Sequence, residues 1–492
     1  MHLSDKDLVS VQEARNLLGD AYKAQKELST FNQSKIDRIV RAISEAGIAN
    51  AEKLAKMANE ETGFGKWQDK VIKNIFAAKY VYEAIKDQKT IGLLRDDTVN
   101  KVWDIGVPVG VVAGIVPSTN PTSTVIYKAM ISIKGGNSIV FSPHPGAKDC
   151  IIETVKIISA AAEAEGCPKG AISTITVPTL QATQELMRNE LTALILATGG
   201  SAMVKSAYSS GTPAIGVGAG NGPAFIDKSA DVKLAIKRIM DSKTFDNGTI
   251  CASEQSIIIE KAMEDKVVAE LKAQGAYLLN PEETEKLGKF ILRPNGTMNP
   301  MIVGKTAESI AKLAGLSSVP STARVLVGRE TKVGKSAPYS AEKLAPILAL
   351  FVEPTVDDVL RRSIEILRFE GVGHTYTMHA NDEELVKKFS LAIPASRILV
   401  NTPGALGGVG ATTNLFPALT LGCGAVGGSS SSNNIGPMDV INIKRVAYGV
   451  RELDEIRSSV PQSGCCGNNS TKSMCSAEMV DYIVKKLVEQ LI

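Results

Sequence analysis

The sequence predicts an α/β protein with two parallel-sheet domains, and three observations carry that reading. Between Val111 and Ile226 short β-branched runs alternate with helical stretches, a second alternating stretch begins near Val232, and no repeat of fixed period is evident in either. Strands separated by helices of this length form right-handed βαβ units, whose sheets are parallel and covered on both faces; the lack of a repeat removes solenoids and propellers. A chain of 492 residues accommodates two to four domains at roughly 100 to 200 residues each.

In chain order, Val9 to about Asn59 carries apolar residues at helical spacing (Val11, Ala14, Leu18, Ala21, then Ile36, Ile39, Val40, Ile43), so two or three helices open the chain, with Gly47 the expected break. The first alternating stretch reads VVAGIV, a helix over 122–133, SIVFS, a helix over 147–165, ISTITV, a helix over 183–189, ALILAT, a helix over 202–209 and a strand over 214–217. The second holds helices over 232–240, 262–274 and 306–313 and the strands QSIIIE, ARVLVG, ILALFVE, TYTMHA and SRILVN. Residues 454–476, rich in Ser, Gly and Asn, read as a flexible linker. Residues 477–492 then place Met479, Val480, Ile483, Leu487, Val488 and Leu491 on one face of an amphipathic helix.

The 55 basic and 52 acidic residues are interspersed, so no broad basic face exists to recruit nucleic acid or an anionic membrane. The start lacks a basic stretch followed by an apolar core, and the longest apolar run, 107–116, is broken by Pro108, Gly110 and Gly114. That run falls short of the roughly 20 residues of a membrane span, and a soluble cytoplasmic protein is expected. The seven scattered cysteines, an odd number without framework spacing, suit a reducing compartment. Cys465, Cys466 and Cys475 have no histidine nearby, and His2, His144, His374 and His379 have no ligand-spaced partners, so no metal is expected. The absence of G-x-S-x-G leaves a serine hydrolase without support.

Two glycine patterns are decoys. GCGAVG (422–427) matches the dinucleotide fingerprint but is followed by GSSSSNN, and GVGAGNG (216–222) runs into the strand PAFI; neither offers the helix N-terminus that holds a pyrophosphate. Cys251 lies in KTFDNGTICASEQ, after the turn-like Asp246-Asn247-Gly248 and ahead of the strand QSIIIE. A thiol there either faces a cleft, where oriented N–H groups favour the reactive thiolate, or is a buried structural cysteine. STNPTS (118–123) follows VVAGIV and precedes a helix, a place where ligand groups gather in an open α/β sheet. Asn120 in it offers its amide to an oxyanion or simply opens a turn before Pro121.

Taken together, KTFDNGTICASEQ, GIVPSTNPTS, LATGGSAMVKSA, GVGAGNGPAFID, EKLAPIL, GHTYTMH and SRILVNTP resemble, in consistent order from about Asp20 to Tyr448, the aldehyde dehydrogenase superfamily. More narrowly they resemble its coenzyme-A-acylating branch, the acetaldehyde and propionaldehyde dehydrogenases that also form the first half of bifunctional aldehyde–alcohol dehydrogenases. The resemblance implies an aldehyde-dehydrogenase-like α/β fold with two Rossmann-like domains: a NAD-binding domain over 1–228, with oligomerisation strands near 98–110, and a catalytic domain over 229–425. An oligomerisation segment over 426–450 would precede the linker, 451–476, and the docking helix, 477–492. NAD is the implied cofactor, with NADP left open, and coenzyme A the co-substrate. The implied substrate is a short-chain aldehyde, acetaldehyde or propionaldehyde, and the implied assembly a homodimer or homotetramer.

Carried over residue by residue, the resemblance implies that Cys251 is the nucleophile, forming a thiohemiacetal and then a thioester, with the Asn120 amide and the Cys251 N–H as oxyanion hole. Glu342 would hold the nicotinamide ribose. Thr198, Gly199, Gly200 and Ser201 would receive the pyrophosphate at a strand-to-helix junction, and Pro117, Ser118, Ser142, His144 and Gly218 would complete the cofactor cleft.

Two departures matter. The segment that carries an activating glutamate in hydrolytic relatives, E-L-G-G-K, is Val217-Gly218-Ala219-Gly220-Asn221 here, and valine cannot act as a general base. A thioester without activated water persists until a thiol such as coenzyme A arrives, and its product stays activated, so the reaction is reversible. Ser142 stands where many relatives have a lysine contacting the adenosine ribose. His374 either contacts coenzyme A or is a satisfied structural histidine. Lys444 and Arg445 would lie on a strand that pairs across subunits. In relatives housed in bacterial microcompartments a short amphipathic helix docks on the shell, and 477–492 resembles that arrangement. The competing readings are a hydrolytic aldehyde dehydrogenase, which Val217 disfavours, and an inactive assembly protein, which the joint presence of Cys251, Asn120 and Glu342 disfavours.

Overall fold

The computed structural model describes residues 5–293, 296–459, 481, 482 and 484–486. The expected docking helix lies, apart from five residues, outside the described residues, as does the linker beyond 459. The chain divides into two compact units, residues 1–96 with 103–445, and residues 97–102 with 446–492. In the smaller unit the Tyr448 N–H donates to the Lys101 carbonyl at 3.1 Å, and Leu453–Ser458 form a short helix where the flexible linker was expected to begin.

The strands are β1 (Gly92–Asp97), β2 (Val102–Pro108), β3 (Val111–Val116), β4 (Ser138–Pro143), β5 (Ile172–Thr174), β6 (Thr192–Thr198), β7 (Ala214–Val217), β8 (Pro223–Ile226), β9 (Ser256–Glu260), β10 (Ala276–Leu278), β11 (Val325–Arg329), β12 (Ile347–Glu353), β13 (Gly373–His379), β14 (Ala395–Val400) and β15 (Ile441–Ala447). They form sheets of order β1-β2-β15, β5-β4-β3-β6-β7 and β10-β11-β12-β9-β8-β13-β14. Every pairing in the five- and seven-stranded sheets is parallel.

Burial explains why these runs become parallel sheets. Along β3, Val111, Ala113 and Ile115 join a core with Ala14, Leu18 and Leu186, while Val112 and Val116 join another with Ile39, Ile126 and Ile151. In the larger sheet Ala224, Ile226, Ile257 and Ile259 share a core with Ile236, Ile239 and Val267, whereas Phe225 and Ile258 share one with Ile310, Ile366 and Phe389. Side chains alternate across a strand, so a run that is apolar at every position satisfies two helical layers at once.

Three expectations shift. Gly47 does not break its helix, which runs from Gln33 to Ala49; a Cβ on Gly47 would sit 3.0 Å from the Ala78 Cβ, so the glycine serves close packing. The stretch 98–110 holds one strand only, because 98–101 form the turn between β1 and β2. β8 precedes residue 228 yet pairs with β9 and β13, so the chain changes sheet at 218–222, where glycines replace apolar residues.

The topology also locates a site. In the five-stranded sheet β4 and β5 lie to one side of β3, β6 and β7 to the other. The segments leaving β3 and β6 therefore part and open a crevice at the carboxyl ends of these strands. In the larger sheet β12, β9, β8 and β13 are successive neighbours, so the loops entering them gather at their amino ends.

Candidate active site

Those two sets of loops enclose a cavity of about 820 Å³. From the first set come Pro117, Ser118, Asn120, Thr198, Gly199 and Gly200; from the second, Gly218, Cys251 and Glu342; His144 also lines it. The apolar part of the lining includes Ile72, Phe76, Tyr80, Phe245, Leu406 and Val409. The helix Trp67–Ile75 passes into a π-helical turn, Phe76–Tyr80, and the rings of Phe76 and Tyr80, both in the lining, stack at 5.9 Å; such π turns recur at functional sites.

Cys251 is presented by a strained turn. After the helix Val232–Thr244, Asp246 (φ 48), Asn247 (φ 51) and Gly248 (φ 78) are all left-handed, a conformation that costs a non-glycine residue about 1–3 kcal/mol. Side-chain bonds offset the cost: Asp246 Oδ1 accepts the Lys66 N–H at 2.7 Å, Asp246 Oδ2 accepts from Thr249 Oγ1 at 2.7 Å, and Asn247 Nδ2 donates to the Gly304 carbonyl at 2.9 Å. Cys251 itself is half-buried, and among the described residues no acceptor takes its N–H.

Asn120 caps the opposite side, ahead of the helix Pro121–Lys134. Its Nδ2 donates to the Thr249 carbonyl at 3.0 Å, two residues before Cys251, and its Oδ1 accepts from Lys73 Nζ at 2.5 Å. Lys73 also reaches Asp246, as does Lys70. Sequence reasoning missed this trio, since an i, i+3 lysine pair on an amphipathic helix reads as a solvated face.

Glu342 is tied down from two sides: Gly220 N–H donates to its Oε1 at 2.8 Å, and its own N–H donates to Glu370 Oε2 at 2.7 Å. Burial, reinforced by the Glu370 charge, raises the Glu342 carboxyl to about 8. Burial, then the Glu342 charge, pushes the Cys251 thiol up to about 12, with Arg397 opposing. Apolar surroundings disfavour thiolate at any pH, and the Glu342 carboxylate adds to this once it ionises above about 8.

The β6-to-helix junction fits a dinucleotide phosphate. Gly200 caps the helix Ser201–Tyr208 without a side chain, and a Cβ built on it meets nothing within 4 Å. The glycine leaves the positive helix terminus open toward the cavity. The remaining sequence-predicted residues divide differently. Ser201 lines a second cavity of about 510 Å³, with Gly218 between the two. Ser142 is a correction: it is buried, and its Oγ bonds Thr183 Oγ1 at 2.8 Å, because its side chain leaves β4 toward the helix Leu180–Arg188. His374 is another. It lines neither cavity, is fully buried, pairs Nδ1 with Thr375 Oγ1 at 2.8 Å, and is pushed down to about 3 by burial and then by Arg397. Its Nε2 has no partner among the described residues, so the ring is buried away from both cavities without being fully satisfied. Among the described residues no cluster of His, Cys, Asp or Glu is placed to hold a metal ion.

The model of the aldehyde dehydrogenase family matches residues 4–386. The chain belongs to the aldehyde dehydrogenase family. Among solved structures, this family member superposes on the probable aldehyde dehydrogenase from Listeria monocytogenes EGD-e with a TM-score of 0.91 at 64% identity, covering 92% of this chain and 100% of the other. It superposes on an acetylating aldehyde dehydrogenase from Geobacillus thermoglucosidasius with a TM-score of 0.90 at 52% identity, covering 92% and 99%. It is 45% identical over 445 residues to the bifunctional aldehyde-alcohol dehydrogenase AdhE of Escherichia coli (strain K12), covering 89% of this chain and 50% of that protein, so the chain spans about half that relative's length. Among the described residues of this aldehyde dehydrogenase, no helix is long and apolar enough to cross a membrane.

Proposed function

We propose that the chain is a coenzyme-A-acylating aldehyde dehydrogenase that reversibly converts a short apolar aldehyde, acetaldehyde or propionaldehyde, with NAD and coenzyme A into the acyl thioester. The observation that carries this reading is the meeting of the Cys251 thiol, an unshared Cys251 N–H and the Asn120 amide in one cavity, where Glu342 is the sole lining carboxylate among the described residues. The Cys251 thiol gives up its proton to solvent as the sulfur bonds the carbonyl carbon; the π pair moves to oxygen, and the Cys251 N–H and Asn120 Nδ2–H hold that charge, each contributing about 3 kcal/mol. Thr198–Gly200 and Glu342 would hold NAD, which when bound would supply the acceptor for the hydride that leaves the adduct carbon as the Cys251 thioester forms. The apolar lining offers water few partners there, and Val217, buried beside the cavity, offers no base to activate water. The coenzyme A thiolate then attacks the thioester carbonyl, the same donors hold the second oxyanion, and Cys251 departs as thiolate.

Substrate class follows from the lining. Among the described residues Lys73 is the one lysine or arginine there, and its ammonium is taken by Asp246 and Asn120, so the described lining leaves no cation for a carboxylated or sulfonated aldehyde. Pairing of subunits into a homodimer or homotetramer, and docking of 477–492 on a microcompartment shell, belong to the same reading; a fluorescent protein carrying residues 454–492 should be recruited to shells.

The test is to follow reduced cofactor by absorbance with acetaldehyde and NAD, with and without coenzyme A. Sustained turnover only with coenzyme A is expected. Equal turnover without it would mean that water deacylates the enzyme and that the hydrolytic reading holds. Cys251→Ala should abolish turnover; undiminished turnover in that variant would remove Cys251 from the chemistry.

A further inference from the structure

The chemistry above leaves a buried charge cluster without a role. Lys70, Lys73 and Asp246 are 3%, 5% and 0% exposed. Lys70 Nζ donates to Asp246 Oδ2 at 2.9 Å and to the Thr119 carbonyl at 3.1 Å, and Lys73 Nζ donates to the same carboxylate oxygen. Half-buried Asp69 accepts the Asp246 N–H at 2.7 Å. Each buried ion costs several kcal/mol of desolvation, and a cluster that merely tied the helix Trp67–Ile75 to the turn before Cys251 would need one lysine, not two.

What the second lysine adds is directed at Asn120. Lys73 Nζ donates to Asn120 Oδ1 at 2.5 Å and to Thr249 Oγ1 at 3.1 Å, while Asn120 Nδ2 donates to the Thr249 carbonyl at 3.0 Å. These contacts allow one orientation of the amide, because a flipped side chain would turn an N–H toward an ammonium and an oxygen toward a carbonyl. The second Nδ2 hydrogen has a long contact of 3.3 Å with Thr119 Oγ1, which a developing oxyanion outcompetes. An ammonium on the amide oxygen also draws electron density from the nitrogen and strengthens the remaining donor. Burial lowers the Lys73 ammonium to about 8, with Asp246 opposing and Lys70 reinforcing the shift, so it is charged at neutral pH.

We propose that Lys73 is a positioning residue for the oxyanion hole, locking the Asn120 amide with an N–H toward the reacting oxygen and strengthening that donor. The inference rests on the role given to Asn120 above.

The experiment is a kinetic cycle of Lys73→Met, Asn120→Ala and the double variant in the acylating assay, with Lys73→Arg alongside and NADH binding followed by fluorescence. Lys73→Met is expected to lower kcat roughly 10- to 100-fold, part of the 10²–10³-fold that a whole oxyanion donor provides. Aldehyde KM and NADH affinity should change little, Lys73→Arg should recover most of the rate, and the loss should vanish when Asn120 is already alanine. An equal loss in both backgrounds, a loss confined to KM, or no loss overturns the proposal. Lys73→Gln, which keeps an N–H donor without the charge, carries the same cycle if the methionine variant does not fold. If Asn120→Ala costs nothing, the oxyanion-hole reading itself fails, and this inference with it.

Discussion

Gly220 packs so closely against Cys251 that a Cβ on it would lie 2.1 Å from the Cys251 carbonyl oxygen. The same glycine donates its N–H to Glu342, so one residue without a side chain spaces the thiol from the carboxylate. The obstructing atom is backbone and cannot rotate away. Gly220→Ala should lower kcat at least ~100-fold while costing about 1–3 kcal/mol of stability; thermal melting beside the acylating assay measures both, and full activity would show that the Cys251 loop yields freely.

Gly200 makes the opposite case. A Cβ there meets nothing within 4 Å, so the fold does not require glycine at this position. The open helix terminus does require it if a pyrophosphate lies there. Gly200→Val should leave the melting temperature nearly unchanged and weaken NADH binding by ~10-fold or more, measured by cofactor fluorescence. Unaltered binding would place the pyrophosphate elsewhere.

The Cys251 thiol, raised to about 12 by burial and then by Glu342, should alkylate slowly at neutral pH. Below its pKa the thiolate fraction grows about tenfold per pH unit, so the iodoacetamide rate should still be climbing at pH 10. Glu342→Gln removes a neighbour that is negative only above about pH 8, so it should speed alkylation above that pH and change it little at neutral pH. A rate that levels off below pH 9 would contradict this environment for the thiol.

His379 is fully buried, neither ring nitrogen has a partner among the described residues, and burial, then Arg238, lowers it to about 3. The unfolded chain takes up the proton near the ordinary value of ~6.5. Stability is therefore intact above that value and is lost progressively as pH falls toward 3, by about 2 kcal/mol at pH 5. His379→Leu should remove this term, so the difference in urea midpoint between variant and parent should shift in the variant's favour from pH 7.5 to pH 5. A constant difference over that range would mean the histidine is not held neutral.

Several parts of this architecture were legible in the chain. VVAGIV, SIVFS, ALILAT and SIIIE are apolar at nearly every position, and a strand buried on both faces has no alternative pattern. Asn120 and the junction Thr198–Gly200 were legible because each follows a strand end, and strand ends meet at the crevice, whereas Glu342 and the choice of Cys251 as nucleophile were legible only through the resemblance of their motifs to the aldehyde dehydrogenase family.

The sequence by itself determined the α/β class, both sheets and the residues that meet in the cavity. Tertiary structure alone decided that Ser142 and His374 turn away from it, because alternation along a strand sends neighbours to opposite faces and one-dimensional position does not say which face is open. It also decided the role of Lys70, Lys73 and Asp246. A lysine pair one helical turn apart is the commonest mark of a solvated surface, and its meaning inverts only when a turn 173 residues away in sequence seals it from water and leaves Asn120 as the outlet for its charge.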